Sequence, residues 1–161
     1  LIGAMNPCPC GYLGSTQRAC RCSPDQVARY QGKLSGPLMD RIDLHVEVPA
    51  VQAAELLHAA PGESSALIRA RCTQARALAV QRQGKANHDL QGQELDTHVL
   101  LDEAAVKFLN VAAARLGWSG RSTHRALKVA RTIADLAGAE ATQVAHVAEA
   151  MQYRRTARAS L

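Results

Sequence analysis

Two different periodicities divide this chain. Between Ile42 and Val48 every second residue is apolar and the residues between them are polar, which predicts a strand with one buried face that ends at Pro49. Residues 1–5 form another apolar run of strand length, which stops at the turn-forming pair Asn6-Pro7. The N-terminal part of the chain therefore predicts two strands, separated by an irregular segment at 8–24 and a short helix at 25–33.

The remainder follows the helical period. Apolar residues recur at spacings of three and four within 65–83, 101–116 and 120–137, and a further helix follows Thr142. Ser64, Ser119 and Thr142 are predicted N-caps, and Gly84, Gly117 and Gly138 are predicted stops. Asp102 and Glu103 are predicted in the first turn of the second of these helices, where the helix dipole favours carboxylates. Cys72 falls on the apolar side of the first, which predicts a place in the core.

These elements predict a mainly α fold in three parts. Residues 1–60 carry the strands and a cysteine-rich insertion. Residues 61–98 contain the long helix and then, at 85–98, a connector without periodicity that separates two subdomains. Residues 99–161 form a compact helical bundle. A short helix is also predicted at 51–58.

Composition narrows the class of protein. The chain has 161 residues, of which 47% are hydrophobic and only 3% aromatic, so its core is expected to be aliphatic. No apolar run approaches the roughly 20 residues needed to cross a bilayer, and no signal peptide opens the chain, so we expect a cytoplasmic protein without membrane contact. The net charge of +5 is concentrated after Arg115. A solvated basic face and a surface for nucleotide or nucleic acid both fit that charge.

Four of the five cysteines are clustered, as the pairs Cys8/Cys10 and Cys20/Cys22. Four thiolates are a ligand set for tetrahedral structural zinc, and the irregular loop that carries them needs an ordering force. Against zinc, the single residue inside each pair is shorter than the usual spacing of two to four. A structural zinc site and free thiols therefore remain the two interpretations.

Three motifs carry a specific resemblance. They are the Asn-Pro-Cys-Pro-Cys-Gly segment at 6–11, the Ser-Gly-Pro-Leu-x-Asp-Arg-Ile-Asp run at 35–43 and the Arg-Thr-Ile-Ala-Asp-Leu run at 131–136. With these motifs the chain resembles the bacterial YifB/ComM family of magnesium-chelatase-like AAA+ ATPases. The resemblance implies the C-terminal part of an AAA+ α/β core with few strands, followed by an α-helical lid bundle.

The same resemblance implies roles for four residues. Asn6 matches the sensor 1 amide beside the γ-phosphate, and Arg41 matches an arginine finger offered to the neighbouring subunit. Arg121 matches the sensor 2 arginine of the lid, with Arg125, one helical turn later, as the reserve candidate. The structural alternatives are a turn-forming Asn6, a surface ion pair of Arg41 with Asp40 or Asp43, and a solvated basic face for the two lid arginines.

For the intact family the resemblance implies a hexameric ring that uses ATP and Mg²⁺ for helicase or branch-migration work on DNA. No phosphate-cradling loop with its Lys and Ser/Thr occurs in the 161 residues, so we expect a C-terminal fragment that does not hydrolyse ATP alone. The rival interpretations are a subunit of a true magnesium chelatase and a non-enzymatic, zinc-containing adaptor that binds protein or DNA.

Overall fold

The computed structural model describes residues 1–51 and 59–159, with side chains as far as Arg154. Seven α-helices lie among these residues, and their only β-type pairing is an isolated parallel bridge between Leu101 and Thr142. The predicted mainly α fold class is confirmed. The chain forms two compact units, of which the second is Ala60–Arg154 and the first is built mainly from Leu1–Ala59, with the residues after Arg154 grouped with it.

The first unit contains two short helices, α1 (Pro24–Gln31) and α2 (Gly36–Arg41). Ser23 caps α1 in a reciprocal capping box with Gln26, and Pro24 occupies the first helical position, where its missing N–H costs nothing. Ser35 caps α2 by accepting a hydrogen bond from the Leu38 N–H. Each helix therefore begins where the local sequence provides a serine cap.

The two predicted strands are not formed. None of residues 1–51 belongs to a β-ladder, and three of the four apolar side chains of the alternating run are exposed, with Leu44 at 49%, Val46 at 67% and Val48 at 86%. A period-2 pattern produces a strand only where a neighbouring strand provides the hydrogen-bonding partner, and the described residues of this unit provide none. The predicted helix at 51–58 lies, apart from Val51, outside the described residues.

The second unit is helical throughout. Its α-helices are α3 (Ser65–Gln83), α4 (Gln93–His98), α5 (Glu103–Leu116), α6 (Gly120–Leu136) and α7 (Val144–Ala159), with a 3₁₀ helix at Asn87–Asp89. Helix α3 packs on α6, which also contacts the 3₁₀ turn and α4. None of the helices described is both long and apolar enough to span a bilayer.

Most of the predicted helix boundaries of this unit are confirmed. Ser64 and Ser119 cap α3 and α6 through their hydroxyl oxygens, and Gly84 and Gly117 end α3 and α5 at φ values of 75° and 57°. Asp102 lies just before α5 as its N-cap rather than in the first turn, with Oδ1 accepting from the Ala105 N–H at 2.7 Å. These caps satisfy amides and carbonyls that the helices leave unpaired.

Thr142 was predicted as the cap of the last helix, and this is wrong. Its hydroxyl donates instead to the Val99 carbonyl at 2.5 Å, while its own N–H donates to the Leu100 carbonyl at 2.8 Å. The Gln143 N–H at the start of α7 donates to Nδ1 of His146. Thr142 thus ties the two ends of the segment 101–142 together.

The core of the second unit is aliphatic, as composition predicts. Its buried apolar side chains come from every part of the unit after α3: Leu90, Leu95, Val99, Ala105, Leu109, Leu127, Ala130, Val147, Ala150 and Met151. Leu90 and Leu95 belong to the segment 85–98, so this segment contributes side chains to the core. The wider division into three domains at residues 60 and 98 stays a prediction.

The N-terminal half of α3 is exposed. Ala75 and Ala79 are buried, but Leu67 is 62% exposed and Ile68 is 41% exposed. Cys72 is exposed as well, so its predicted place in the core is wrong. The apolar face of α3 was identified correctly, but the packing of this unit covers only its second half.

Candidate metal centre and nucleotide-binding residues

The first cysteine pair is held in a tight turn. The Gly11 N–H donates to the Cys8 carbonyl at 3.0 Å, and Gly11 has a φ of +80°, a conformation that glycine adopts without steric cost. Cys8 is fully buried and Cys10 is half-buried. The turn therefore places the sulfurs of Cys8 and Cys10 next to each other.

The second pair leads directly into a helix. Cys20 and Cys22 are half-buried, and Cys22 immediately precedes Ser23, the N-cap of α1. The loop between the two pairs is ordered locally by a Tyr12–Arg18 contact, in which Arg18 Nη1 donates to the Tyr12 hydroxyl and the guanidinium lies 4.6 Å from the ring centre. This contact folds the loop back, so that the two pairs meet.

The four sulfurs converge. All four Sγ atoms lie within 4.8 Å of one another. Sγ of Cys8 lies 3.4 Å from that of Cys10 and 3.7 Å from that of Cys20, and the Cys10 and Cys20 sulfurs are 3.6 Å apart. Four sulfurs at the usual zinc–sulfur bond length of about 2.3 Å form a tetrahedron with edges of about 3.8 Å, so these separations fit zinc. All five cysteines are free of disulfides.

The four neighbouring thiols have different pKa values. A backbone hydrogen bond from Arg21 is the main cause that lowers the pKa of Cys10 to about 6. Burial, together with the neighbouring thiols, raises the pKa of Cys22 to about 12. A cluster of four thiols cannot readily ionise completely on its own, because each new thiolate faces those already present. A divalent cation removes that conflict, which is the electrostatic condition for a thiolate metal site.

Asn6 lies against the cysteine turn. It is exposed, and together with Ala4, Met5 and Tyr30 it lines a shallow depression on the first unit. A Cβ atom placed on Gly11 would lie 3.8 Å from Cγ of Asn6, so the backbone of Gly11 faces the amide of that side chain. The structure thus brings one of the predicted nucleotide residues and the predicted metal ligands together.

Arg41 is the C-terminal residue of α2. It is exposed, and a cation in this position interacts favourably with the negative end of the helix. The strand that was predicted to follow it is extended chain. The position of Arg41 on a helix end is therefore a finding that the sequence pattern did not predict.

Arg121 and Arg125 lie in the second unit, on the first turns of α6. Arg121 is exposed at the second helical position, and Arg125 is half-buried. Lys128, on the same predicted basic face, donates to the His88 carbonyl at 2.9 Å and so belongs partly to the packing of the unit. The amides of the first helical turn and the Arg121 guanidinium present positive charge in the same place, an arrangement that suits a phosphate.

A buried ionic network was missed by the sequence analysis. Asp135 is 3% exposed and receives two hydrogen bonds from Arg82, at 2.7 and 3.0 Å, and two from Arg131, at 2.8 and 3.1 Å. Arg131 is 1% exposed and also donates to the carbonyls of Ala139 and Glu140. Asn87 completes the network by donating to Asp135 at 2.8 Å. The available signal was the Arg131 and Asp135 pair, four residues apart among the apolar positions of α6.

The network is balanced electrostatically. Burial raises the pKa of Asp135, but the hydrogen bonds from Arg82 and Asn87 and the charge of Arg131 outweigh it, and the net shift of the Asp135 pKa is downward. Burial lowers the pKa of Arg131. The paired charges join α3, the 3₁₀ turn and α6. Arg131 and Asp135 of the motif at 131–136 therefore have a structural role in the packing of these elements.

The comparisons with known proteins decide the family. The model described as "Magnesium chelatase, subunit ChlI C-terminal" matches residues 62–154, and the one described as "Magnesium chelatase, subunit ChlI" matches residues 1–56. The chain belongs to the magnesium chelatase ChlI family. The family resemblance predicted from the three motifs is confirmed.

This ChlI-family chain aligns over nearly its whole length with curated relatives. It is 41% identical over 159 residues to the competence protein ComM of Haemophilus influenzae, covering 98% of this chain and 31% of that protein. It is 41% identical over 155 residues to the YifB protein of Salmonella typhimurium and 39% identical over 155 residues to that of Escherichia coli, covering 96% of this chain and 30% of each. The chain thus spans about a third of the length of the relatives it matches.

Proposed function

We propose that this chain is the nucleotide-responsive C-terminal part of an AAA+ ATPase whose ring performs ATP-driven work on DNA. Family membership is consistent with an ATPase as a coarse class and implies the use of nucleotide and Mg²⁺. The observation that supports the proposal most is that the family models match both the segment with Asn6 and Arg41 and the segment with Arg121. Mg²⁺ is proposed to bind together with ATP, as the family implies.

In this proposal Asn6 orients the attacking water. A neutral amide both donates and accepts hydrogen bonds, so it holds a water next to a triphosphate without adding negative charge. The exposure of Asn6 beside an open depression leaves its amide accessible.

Arg41 is proposed to act on the nucleotide of the neighbouring subunit. A guanidinium at that point stabilises the charge on the transferring phosphoryl group, an effect worth roughly 10³ to 10⁵ in rate. The exposed position of Arg41 at the end of α2 supports this role. The role requires an oligomer, which we propose to be a hexameric ring.

Arg121 is proposed to contact the β- and γ-phosphates, with Arg125 as the alternative. Arg121 is the preferred candidate because it is exposed and lies in the first turn of α6, at the positive end of the helix. Arg125 is half-buried. Replacing Arg121 with Ala in the longer protein is expected to raise the KM for ATP. Arg115→Ala, at another exposed arginine of the same unit, is the matched control. A larger effect from Arg125→Ala would transfer the role to Arg125.

The decisive experiment mixes subunits. ATPase activity of the longer protein is measured while wild-type subunits are mixed with Arg41→Ala subunits at a constant total concentration. Because a finger acts on the next subunit, each variant is expected to silence a neighbouring site, and activity falls more steeply than dilution. Arg29→Ala, an exposed arginine in the last turn of α1, is the matched control. A strictly proportional fall with Arg41→Ala rejects the finger.

DNA is proposed as the polymer on which the ring acts, and the cytoplasm as its location. One matched relative is named a competence protein, and the basic balance of this chain, net +5, suits phosphate contacts. DNA binding by the longer protein is expected to weaken steeply with salt, since each neutralised phosphate releases counterions. The main rival, a subunit of a true magnesium chelatase, is favoured by the description of the matching family. DNA binding without salt dependence, or none, supports that rival.

We also propose that Cys8, Cys10, Cys20 and Cys22 hold one structural zinc ion, since their sulfurs have the separations of a tetrahedral site. With four protein ligands no position is left for substrate, so the ion stabilises the fold and does no chemistry. One equivalent of zinc per chain is expected in the purified protein, and Co²⁺ substitution is expected to give the absorption of tetrahedral thiolate coordination. Cys20→Ser is expected to lose the metal, and Cys72→Ser to retain it. If zinc binds while the longer protein neither binds nor turns over ATP, the adaptor interpretation is favoured over the ATPase.

A further inference from the structure

The cysteine cluster lies beside Asn6. A metal bound by the cysteines could therefore affect the position of the Asn6 side chain and, through it, ATP hydrolysis. We propose that the four-thiolate centre is the device that positions the Asn6 amide, so that metal loading of the cluster sets the rate of ATP hydrolysis. This inference rests on the proposed function of Asn6. It assigns the cysteines a positioning role, not a catalytic one.

The first support is the proximity of the cysteine turn to the amide. Gly11 faces the Asn6 side chain, and a Cβ atom added there would lie 3.8–4.0 Å from Cγ, Nδ2 and Oδ1. The turn itself is closed by the hydrogen bond from Gly11 to the Cys8 carbonyl. Because Cys8 and Cys10 lie within this turn, ligation of their sulfurs fixes the surface against which the amide rests.

The second support comes from α1. Nε2 of Gln31 donates to the Pro7 carbonyl at 3.2 Å, directly after Asn6, and Tyr30 shares with Asn6 the lining of the same depression. Helix α1 begins two residues after Cys22. The second cysteine pair is therefore joined, through α1, to the other side of the Asn6 segment.

The third support is the scarcity of other restraints. Within residues 1–51 Cys8 is the only buried residue, so this part of the chain has no hydrophobic core that would hold the turn and α1 together. The sulfurs are the point at which both meet. Loss of the metal is therefore expected to loosen the turn that faces Asn6 and the link from α1 to Pro7 at once.

The test is a double-mutant cycle in the longer protein, with Asn6→Ala, Cys20→Ser and both together, and with Cys72→Ser as control. Metal content, kcat and KM for ATP are measured. Cys20 is chosen because it lies outside the turn that touches Asn6. We expect Cys20→Ser to lose the metal and to lower kcat about tenfold or more with KM little changed, since small displacements of a positioned group are costly. The double variant is expected to be no slower than Asn6→Ala, because both changes remove the same interaction.

Two outcomes overturn the positioning role of the cysteines while leaving the proposed function of Asn6 intact. If Asn6→Ala lowers kcat but Cys20→Ser loses metal without slowing turnover, the positioning role is wrong and the sensor role stands. If the two losses multiply, the cluster acts elsewhere. If Asn6→Ala leaves kcat unchanged, the proposed function of Asn6 fails and this inference fails with it.

A measurement without catalysis guards against a variant that misfolds. Hydrogen exchange of the backbone amides of Asn6, Cys8, Cys10 and Gly11 is followed in the wild-type protein without ATP, before and after chelation of the metal and after zinc is added back. Faster exchange on chelation, reversed by zinc, supports the proposal. Unchanged exchange in this segment while the metal leaves overturns it.

Discussion

The two units of this chain are stabilised by different means. The second unit, Ala60–Arg154, buries an aliphatic core and a network of paired charges, whereas residues 1–51 bury a single residue, Cys8. The first unit is instead organised around four converging sulfurs. The comparison teaches that a buried core and paired charges hold one unit, whereas the described part of the other has clustered thiols in place of a core, where we propose that a metal ion supplies the order.

Removing the metal is expected to have the largest effect and to act on one unit only. With the longer protein loaded with zinc, chelation should abolish hydrogen-exchange protection within residues 6–31 and leave the second unit protected. Hydrogen exchange of the amides around Trp118, which packs against the core of the second unit, reports on that unit separately. A coordinated loss of protection in both units would contradict the comparison.

Breaking the buried ionic network is expected to destabilise the second unit most among single substitutions. Asp135→Ala leaves Arg82 and Arg131 without their shared carboxylate, and an uncompensated buried charge costs about 3–5 kcal/mol. Urea unfolding followed by protein fluorescence measures this change. Glu103→Ala, which removes the exposed ion pair with Lys107, is the control and should cost about 1 kcal/mol or less.

Truncating a core side chain in the segment 85–98 sharpens the same comparison. Leu90 is fully buried, so Leu90→Ala is expected to lower the free energy of unfolding of the second unit by about 2–5 kcal/mol. Leu67→Ala, on the exposed half of α3, should change it by less than about 0.5 kcal/mol. Equal effects of the two substitutions would mean that the segment 85–98 contributes no more to the stability of the core than the exposed half of α3 does.

The smallest effect is expected from pH. The pKa of Asp135 is lowered in the folded protein, so its contribution to stability is fully present above the unfolded value of about 3.9 and is lost as the pH falls through the folded pKa. The difference in unfolding free energy between wild type and Asp135→Asn should therefore stay constant from pH 7 to about 5 and shrink in stronger acid. A difference that shrinks already near neutral pH would contradict the lowered pKa.

Local chemistry made the helices of the second unit predictable. Ser64, Ser119, Gly84 and Gly117 act within one helical turn, so their effect is visible in sequence without tertiary information. The alternating run at 42–48 was not predictable in this way, because a ladder depends on a partner elsewhere. Thr142 has a capping side chain, but a distant carbonyl, that of Val99, competes successfully for its hydroxyl.

The candidate site shows the same division. The cysteine pairs could be grouped from their clustering, but their spacing argued against zinc, because a sequence does not show how the loop between them folds back. The charge of Arg131 was visible, whereas its burial depends on carbonyls of residues 139 and 140 that lie beyond the helix end. The roles of Asn6, Arg41, Arg121 and Arg125 stay predictions.

The pairing of Leu101 with Thr142 has a consequence for replacing the segment 101–142 with the corresponding segment of a relative. Its hydrogen bonds bring the entry and the exit of α5 and α6 side by side. A hairpin whose ends already meet can be replaced by the corresponding segment of a relative through two adjacent junctions. Chimaeras joined at Leu101 and Thr142 would thus exchange the Arg121-bearing helix through one pair of junctions, on the condition that the incoming segment keeps the carboxylate that pairs with Arg82 and Asn87.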